Sequence, residues 1–267
     1  MLIIGEKINA TNKRVAGAIV NKDAAFIQEL ARQQSDAGAS YIDVNAGTGQ
    51  GAEQEIAGLK WAIDTVQSVT DLPLCLDSSD PQALLAAMAH YQGSKAMINS
   101  VNAEPGKLEP LGRLAAERQV PLVALVMGER GIPGSVEERL SAADLIVTHL
   151  TRLGVREDQL FFDPLLLPIS VDTSQGLVTL KTIQQLKSRY PSANTVIGLS
   201  NVSFGLPNRG IVNHAFLLMA ISAGLDAAIL DPLDAKVMSF VRVADMLTGK
   251  DPACKGFIKA HRKGLLL

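Results

Sequence analysis

Histidine, cysteine and aromatic side chains are scarce in this chain, and each scarcity closes off a chemistry. There are 4 histidines. His90, His149 and His214 fall inside helix-patterned stretches and His261 lies in the C-terminal tail. None ends a strand-like run, which argues against a barrel hydrolase built on histidine-bound metal. The 2 cysteines, Cys75 and Cys254, are far apart with no histidine nearby. They suit neither a disulfide framework nor a thiolate zinc site, and Cys75 reads as a small buried hydrophobe. Aromatics make up 4% of the chain and lysine and arginine form no stripe, so nucleic acid is not an expected partner. No apolar run reaches the roughly 18 residues a membrane helix needs. Met1-Leu2-Ile3-Ile4-Gly5-Glu6 is too short for a secretory segment and reads as a first strand, leaving the cytoplasm as the expected location. The first turn, Gly5-Glu6-Lys7-Ile8-Asn9-Ala10, has no G-x-G-x-x-G. The glycine-rich turn Asn45-Ala46-Gly47-Thr48-Gly49-Gln50-Gly51 lacks the lysine and spacing of a phosphate loop. No lysine ends the sixth strand, so a Schiff-base aldolase of the common barrel type is not supported.

What is present is a repeated strand–helix alternation. The chain has 267 residues, 47% hydrophobic and 19% charged, with a net charge of -2, enough to bury one large core. Strand-like runs fall at 2–6, 41–45, 74–77, 96–99, 122–127, 160–163, 195–200 and 227–231. Amphipathic stretches lie near 23–37, 53–68, 80–91, 105–118, 136–152, 174–189, 208–223 and 233–247. Asp23, Asp80-Pro81, Ser135, Thr173-Ser174 and Asp231-Pro232 are helix-start signals, and Gly38, Gly93, Gly154 and Gly224 sit where helices should stop. Complete βα units in this number imply an α/β fold, a single (β/α)8 TIM barrel spanning residues 1–267. The longest segments outside the pattern, 128–135, 164–173 and 201–207, follow strands five, six and seven, on the side where barrels place specificity.

Several apolar runs end in a carboxylate or carboxamide. Asp77 ends the third, with Cys75 one layer below on the same face. A buried carboxylate needs donors, and a heterocycle with adjacent N–H groups satisfies both oxygens; capping of the next helix is the alternative, although Ser78, Ser79 and Asp80 already offer caps. Asn99 and Asp163 repeat the arrangement on strands four and six, with ordinary hydrogen bonding to loop backbone as their alternative. Asn201 follows strand seven. Its carboxamide can hydrogen-bond a ring nitrogen in either protonation state, or it can start the loop as an Asx-turn. Arg209 can clamp a carboxylate tail or stand solvated at a helix start. Glu6, Asn9, Asp43 and Asn45 populate strands one and two as floor and support, and Ser200 precedes Asn201. Such a set suits a neutral, hydrogen-bond-rich ring.

Gly5-Glu6-Lys7-Ile8-Asn9, Leu74-Cys75-Leu76-Asp77-Ser78, Met97-Ile98-Asn99-Ser100, Asn102-Ala103-Glu104, Asp163-Pro164-Leu165, Gly198-Leu199-Ser200-Asn201-Val202-Ser203 and Gly224-Leu225-Asp226-Ala227-Ala228 closely resemble the corrinoid-dependent methyltetrahydrofolate methyltransferases. The similarity runs in order over nearly the whole chain. The family belongs to the pterin-binding barrels, with dihydropteroate synthase and the folate domain of cobalamin-dependent methionine synthase. The resemblance implies methyl transfer between N5 of tetrahydrofolate and the cobalt of a corrinoid carried by a partner protein, with no metal in this chain. By the same carry-over Asp77, Asn99 and Asp163 hold the pterin and Asn201 is catalytic, hydrogen-bonding N5 as its protonation changes. The resemblance also suggests a homodimer through outer helices. Lys7 stands where the family usually has arginine, and Phe204-Gly205-Leu206 replaces more polar residues of acetogenic members. That loop borders the folate tail and the corrinoid, so its change leaves the partner protein and the direction open between the carbonyl branch of acetogenesis and regeneration of methyltetrahydrofolate from a methylated corrinoid protein, with the loop favouring the second. Dihydropteroate synthase is the rival enzyme, but Ile8-Asn9-Ala10-Thr11-Asn12-Lys13-Arg14 is not its first loop and the late strands lack its S-x-R signature. A folate-binding subunit without catalysis is the non-enzyme rival.

Overall fold

The computed structural model describes residues 1–267. Eight parallel strands, β1 (Leu2–Asn9), β2 (Tyr41–Asn45), β3 (Leu74–Asp77), β4 (Ala96–Val101), β5 (Leu122–Leu125), β6 (Leu160–Asp163), β7 (Asn194–Gly198) and β8 (Ala227–Leu230), close into a barrel in sequence order. Around it lie α1 (Lys13–Asn21), α2 (Ala24–Asp36), α3 (Ala52–Gln67), α4 (Pro81–His90), α5 (Pro105–Arg118), α6 (Val136–Arg152), α7 (Gln175–Arg189), α8 (Arg209–Ala223), α9 (Ala235–Leu247) and α10 (Lys255–Arg262). The barrel expected from the sequence is the barrel observed. No helix is long and apolar enough to cross a membrane.

Side-chain alternation along each strand separates two cores. Outward residues such as Ile42, Val44, Leu74, Leu76, Ile98 and Phe162 pack against the helices. Inward residues Ile4, Cys75, Met97, Val123, Phe161, Val196 and Ala227 fill the barrel as one apolar layer. The next inward position along β3, β4 and β6 is therefore Asp77, Asn99 and Asp163. The polar strand ends form a layer of their own directly above the apolar one, at the carboxyl-terminal mouth.

β1 departs from simple alternation. Its register with β2 runs Ile4↔Tyr41 and Gly5↔Ile42, then resumes at Ile8↔Val44 and Asn9↔Asn45. The extra residue at Glu6–Lys7 is a bulge, and it shifts the alternation by one. Ile4 faces inward and Ile8 faces the helices, so Glu6 and Asn9 both reach the mouth. The sequence places the end of this strand at Glu6; it runs on to Asn9 because the bulge allows it. Gln34 of α2, fully buried, accepts the Lys7 N–H on its Oε1 at 3.0 Å.

Other boundaries also differ from expectation. α1 and α10 are additional helices, the first capped by Asn12, whose side chain accepts from the Arg14 and Val15 N–H groups. His261, in the C-terminal tail, lies on α10. The helix after β8 is capped by Asp234, and Asp231 instead accepts from Lys7 Nζ at 2.8 Å. α4 ends on Tyr91 in an extended conformation, so Gly93 does not stop it, whereas Gly38, Gly154 and Gly224 adopt positive φ at helix ends.

Gly5 has no room for a side chain. A Cβ there would lie 2.4 Å from Gln34 Oε1, and Gln34 cannot turn away without stranding the Lys7 N–H. Gly5→Ala is expected to destabilise the fold by about 1–3 kcal/mol through overpacking and the lost hydrogen bond. Urea unfolding of the variant measures it, and an unchanged midpoint would show that the bulge does not depend on Gln34.

Candidate active site

The barrel mouth holds a cleft of about 570 Å³ lined by Glu6, Lys7, Asn9, Thr11, Asn12, Asp43, Asp77, Gly198, Ser200, Asn201, Arg209 and Ile229. The sequence-derived residues Glu6, Asn9, Asp43, Asp77, Ser200, Asn201 and Arg209 thus meet in one place. Asn45 stands beside Asp77, to which it donates from Nδ2 at 3.0 Å, while its own Oδ1 accepts the Gly47 N–H at 3.0 Å. Asn99 is buried below the rim, with its carboxamide toward Asp43 and Cys75. Asp163 ends β6 across the barrel and lines no part of this cleft. A separate groove of about 590 Å³ is walled by Ala103, residues 128–134 and α6, and contains none of the strand-end carboxylates.

Each carboxyl group at the mouth is met by a neutral donor. The Ser200 hydroxyl donates to Glu6 Oε1 at 2.8 Å. Asn9 approaches Asp43 at 3.5 Å, and its Oδ1 is held by the Thr11 N–H and hydroxyl at 3.0 and 2.8 Å. The Leu165 N–H donates to Asp163 Oδ1 at 2.8 Å. Asp77 does not cap the following helix: Asp80 does, accepting the Gln82 N–H at 2.9 Å. Behind Asp77, Ser78 donates a short hydrogen bond to Glu55.

Desolvation dominates the electrostatics. Burial pushes Asp77 up to about 6 against the Asn45 hydrogen bond, with Glu55 adding to the rise. Burial pushes Asp163 up to about 6 as well, opposed by the Leu165 N–H and the Arg139 charge. Glu6 is raised chiefly by burial, with the Ser200 hydrogen bond opposing it. Asp43 and Cys75 lie well above their ordinary ranges, first because of burial.

The cations are engaged elsewhere. Lys7 pairs with Asp231 across the β1–β8 seam at 2.8 Å. Arg209 ties its own loop together, donating from Nη2 to the Ser200 carbonyl at 2.6 Å and from Nε to Ser203 Oγ at 3.0 Å. It is therefore held by its own loop and not merely solvated. Asn201 is exposed, and the turn after it closes through main chain, Phe204 N–H donating to the Asn201 carbonyl at 3.1 Å. Its carboxamide is therefore not consumed by the turn. Gly198 gives it room: a Cβ there would lie 3.1 Å from Asn201 Nδ2.

Sequence reasoning missed Arg139, which is fully buried in α6. Its guanidinium donates to the Pro133 carbonyl at 3.2 Å, the Pro164 carbonyl at 2.7 Å and Gln175 Oε1 at 2.8 Å. It joins the loop after β5 to the loop that follows Asp163. The available signal was its place on the buried stripe of α6 with Ala142, Ala143, Ile146 and Leu150. Gln34, Thr11 and the Lys7–Asp231 pair were missed because nothing local announces them. The histidines stay outside the site, His90, His149 and His214 each bonding a carboxylate of a neighbouring helix.

The raised carboxyls have a stability signature. Asp77 and Asp163 titrate at about 6 when folded, above the ordinary 3.8. The folded state then holds more protons than the unfolded one between these values, so their contribution falls as pH rises through that window. Asp77→Asn and Asp163→Asn are expected to be more stable than the parent above about pH 6, by roughly 1–2 kcal/mol, with the gain vanishing below about pH 4. Thermal unfolding across this range is the check, and loss of stability at every pH would mark the carboxylates as structural.

The chain has recognisable kin. Residues 5–231 match the family described as pterin binding enzyme. The chain is 36% identical over 266 residues to the methylcorrinoid:tetrahydrofolate methyltransferase of Eubacterium limosum, covering 99% of this chain and 97% of that one. It is 31% identical over 258 residues to the methionine synthase of Mycobacterium leprae (strain TN), covering 92% of this chain but 21% of that larger protein. Dihydropteroate synthase from Xanthomonas albilineans in complex with 7,8-dihydropteroate shares the fold with a TM-score of 0.69 at 20% identity, over 94% of this chain and 93% of that one. The matched family segment begins on Gly5 and ends on Asp231, enclosing all eight barrel strands except the first residues of β1, and the chain belongs to the pterin-binding enzymes.

Proposed function

We propose that this protein is a methyltransferase that moves a methyl group from the cobalt of a corrinoid, carried by a partner protein, to N5 of tetrahydrofolate. The observation that carries the reading is the nearly end-to-end match to the methylcorrinoid:tetrahydrofolate methyltransferase, in which neither chain has a large unmatched part. The mouth supports it. Asp77 lines the cleft, with Asn99 buried beneath it and Asp163 at the end of β6 across the barrel; together they are the acceptors and the carboxamide that a pterin's N–H groups and ring carbonyl need, and no phosphate-binding cation stands free in the cleft.

The corrinoid supplies the cobalt that holds the methyl group. The contributions of this chain are recognition, orientation and charge stabilisation. N5 of tetrahydrofolate gains positive charge as it takes the methyl group and then loses its proton. A carboxamide oxygen facing N5–H accepts a hydrogen bond that strengthens as that charge develops, and Asn201 presents such a group at the open side of the cleft. The exposed Phe204 beside it gives the partner protein an apolar foothold. A homodimer in the cytoplasm completes the reading: Leu177 of α7 and Ile211 and Met219 of α8 are exposed apolar side chains on outer helices.

Methylcobalamin and tetrahydrofolate, mixed with the purified chain, should give methyltetrahydrofolate. Binding of tetrahydrofolate without turnover would leave a folate-binding subunit. Asn201→Ala should lower single-turnover methyl transfer by about a hundred-fold or more while folate affinity changes little. A rate unchanged at saturation, with affinity reduced, would make Asn201 a binding residue only.

Folate affinity should also depend on pH through Asp77 and Asp163, which accept pterin N–H groups when ionised. Affinity is expected to be constant well above pH 6 and to fall as pH drops through about 6, where both titrate. Calorimetric titration at several pH values tests this, and an affinity that rises on acidification would exclude recognition by anionic carboxylates.

A further inference from the structure

Asp43 is a buried acid at the level of the barrel's apolar inward layer. It pairs in register with Cys75, lies one inward step below Asn45, and is 1% exposed. The layer it belongs to is otherwise apolar, with Ile4, Met97 and Val196 among its members. Its Oδ2 approaches the Asn9 amide at 3.5 Å, its Oδ1 has no partner within hydrogen-bond distance, and the only other polar side chains turned toward it, the Cys75 thiol and the Asn99 carboxamide, are neutral. An ionised carboxylate needs donors on both oxygens, whereas a neutral acid leaves far less charge to solvate.

No cation faces it. From β1 it meets Asn9, with Glu6 on the same cleft; from β3, Cys75 and Asp77; from β4, Asn99. The two cations of the cleft are held away, Lys7 by Asp231 and Arg209 by the Ser200 carbonyl. The nearest charge is therefore another carboxylate, Asp77, on the adjacent strand. Two carboxyl groups in one poorly solvated wall hold a single negative charge more readily than two. Geometry decides between them. Asp77 has a donor at 3.0 Å from Asn45 and opens onto the cleft, while Asp43 is deeper and has the longer contact.

We propose that Asp43 is a positioning residue that keeps its proton across the working pH range, so that Asp77 is the one anion of this wall and is free to accept N–H donors from the pterin. Burial and the Asp77 charge both push the Asp43 carboxyl upward, in the same direction. No proton passes from Asp43 to the substrate. Its part is to remain neutral where a second charge would raise Asp77 further and weaken it as an acceptor. The inference rests on the reading of the cleft as a pterin site.

The test begins with the ligand-free parent protein labelled with carboxyl-¹³C aspartate. One aspartate resonance should remain protonated at about pH 7.5, far above the ordinary aspartate range. Asp43→Asn should remove that resonance, and Asp77→Asn should make it titrate at lower pH because the competing charge is gone. In folded Asp43→Asn protein the acid limb of the tetrahydrofolate affinity profile should stay where it is in the parent, since one neutral group replaces another beside Asp77. A parent spectrum in which every aspartate is ionised at about pH 7.5 overturns the proposal whether or not the variant folds. So does a shift of that acid limb to lower pH in a folded Asp43→Asn protein, which would mean that a charge beside Asp77 had been removed. Failure of tetrahydrofolate to bind the parent would refute the pterin reading instead, and calorimetry reports that independently of the spectrum.

Discussion

Carboxyl groups withdrawn from water and met only by neutral donors set the character of this barrel. Glu6, Asp43, Asp77 and Asp163 crowd the inner wall and the mouth, and none forms an ion pair. A cation in contact would have been the simpler way to stabilise each of them. The molecule instead uses a serine hydroxyl, two asparagine amides and a backbone N–H, and keeps its buried or nearby cations on carbonyls and on Asp231. Acceptor capacity is left over at the mouth, and it can be filled by a ring that brings its own N–H groups.

That arrangement explains why supporting residues matter as much as the acids themselves. Asn45 is oriented by Gly47, Asn9 by Thr11, and the Asp163 loop by Arg139 through Pro164. Each support comes from the loop or helix just outside the barrel. Arg139 also holds Pro133, so the loops after β5 and β6 share one buried guanidinium. The two cannot be rearranged independently without leaving carbonyls unpaired in the interior.

Much of this was legible in the sequence because parallel strands buried on both sides make polar residues conspicuous. Leu74-Cys75-Leu76-Asp77 announces its own end, and the alternation that places Cys75 inside places Asp77 inside too. The eight-unit barrel followed from the same repetition. β1 was the exception, since a bulge has no local mark; only the distant Gln34 reveals why the chain can carry both Glu6 and Asn9 to one surface. α1 was hidden by its shortness, and Asp231 was read as a helix start although its partner lies at the other end of the sequence. Arg139 carried a signal, a charge on an apolar stripe, but only packing shows that its partners are carbonyls. Long-range hydrogen bonds are not written in periodicity.

The seam between β1 and β8 runs directly beneath the cleft. Lys7 joins Asp231 across it, Ser200 reaches back to Glu6, and Ile229 shares the cleft with Asn9. A nascent chain cannot assemble this pocket from its amino-terminal half, because the opposite wall is among the last barrel segments made. The site is complete only when the cylinder closes, through contacts between distant parts of the sequence, which are slow to find. A molecule seated in the cleft spans that joint like a rivet, holding the two ends of the sheet together without a covalent bond.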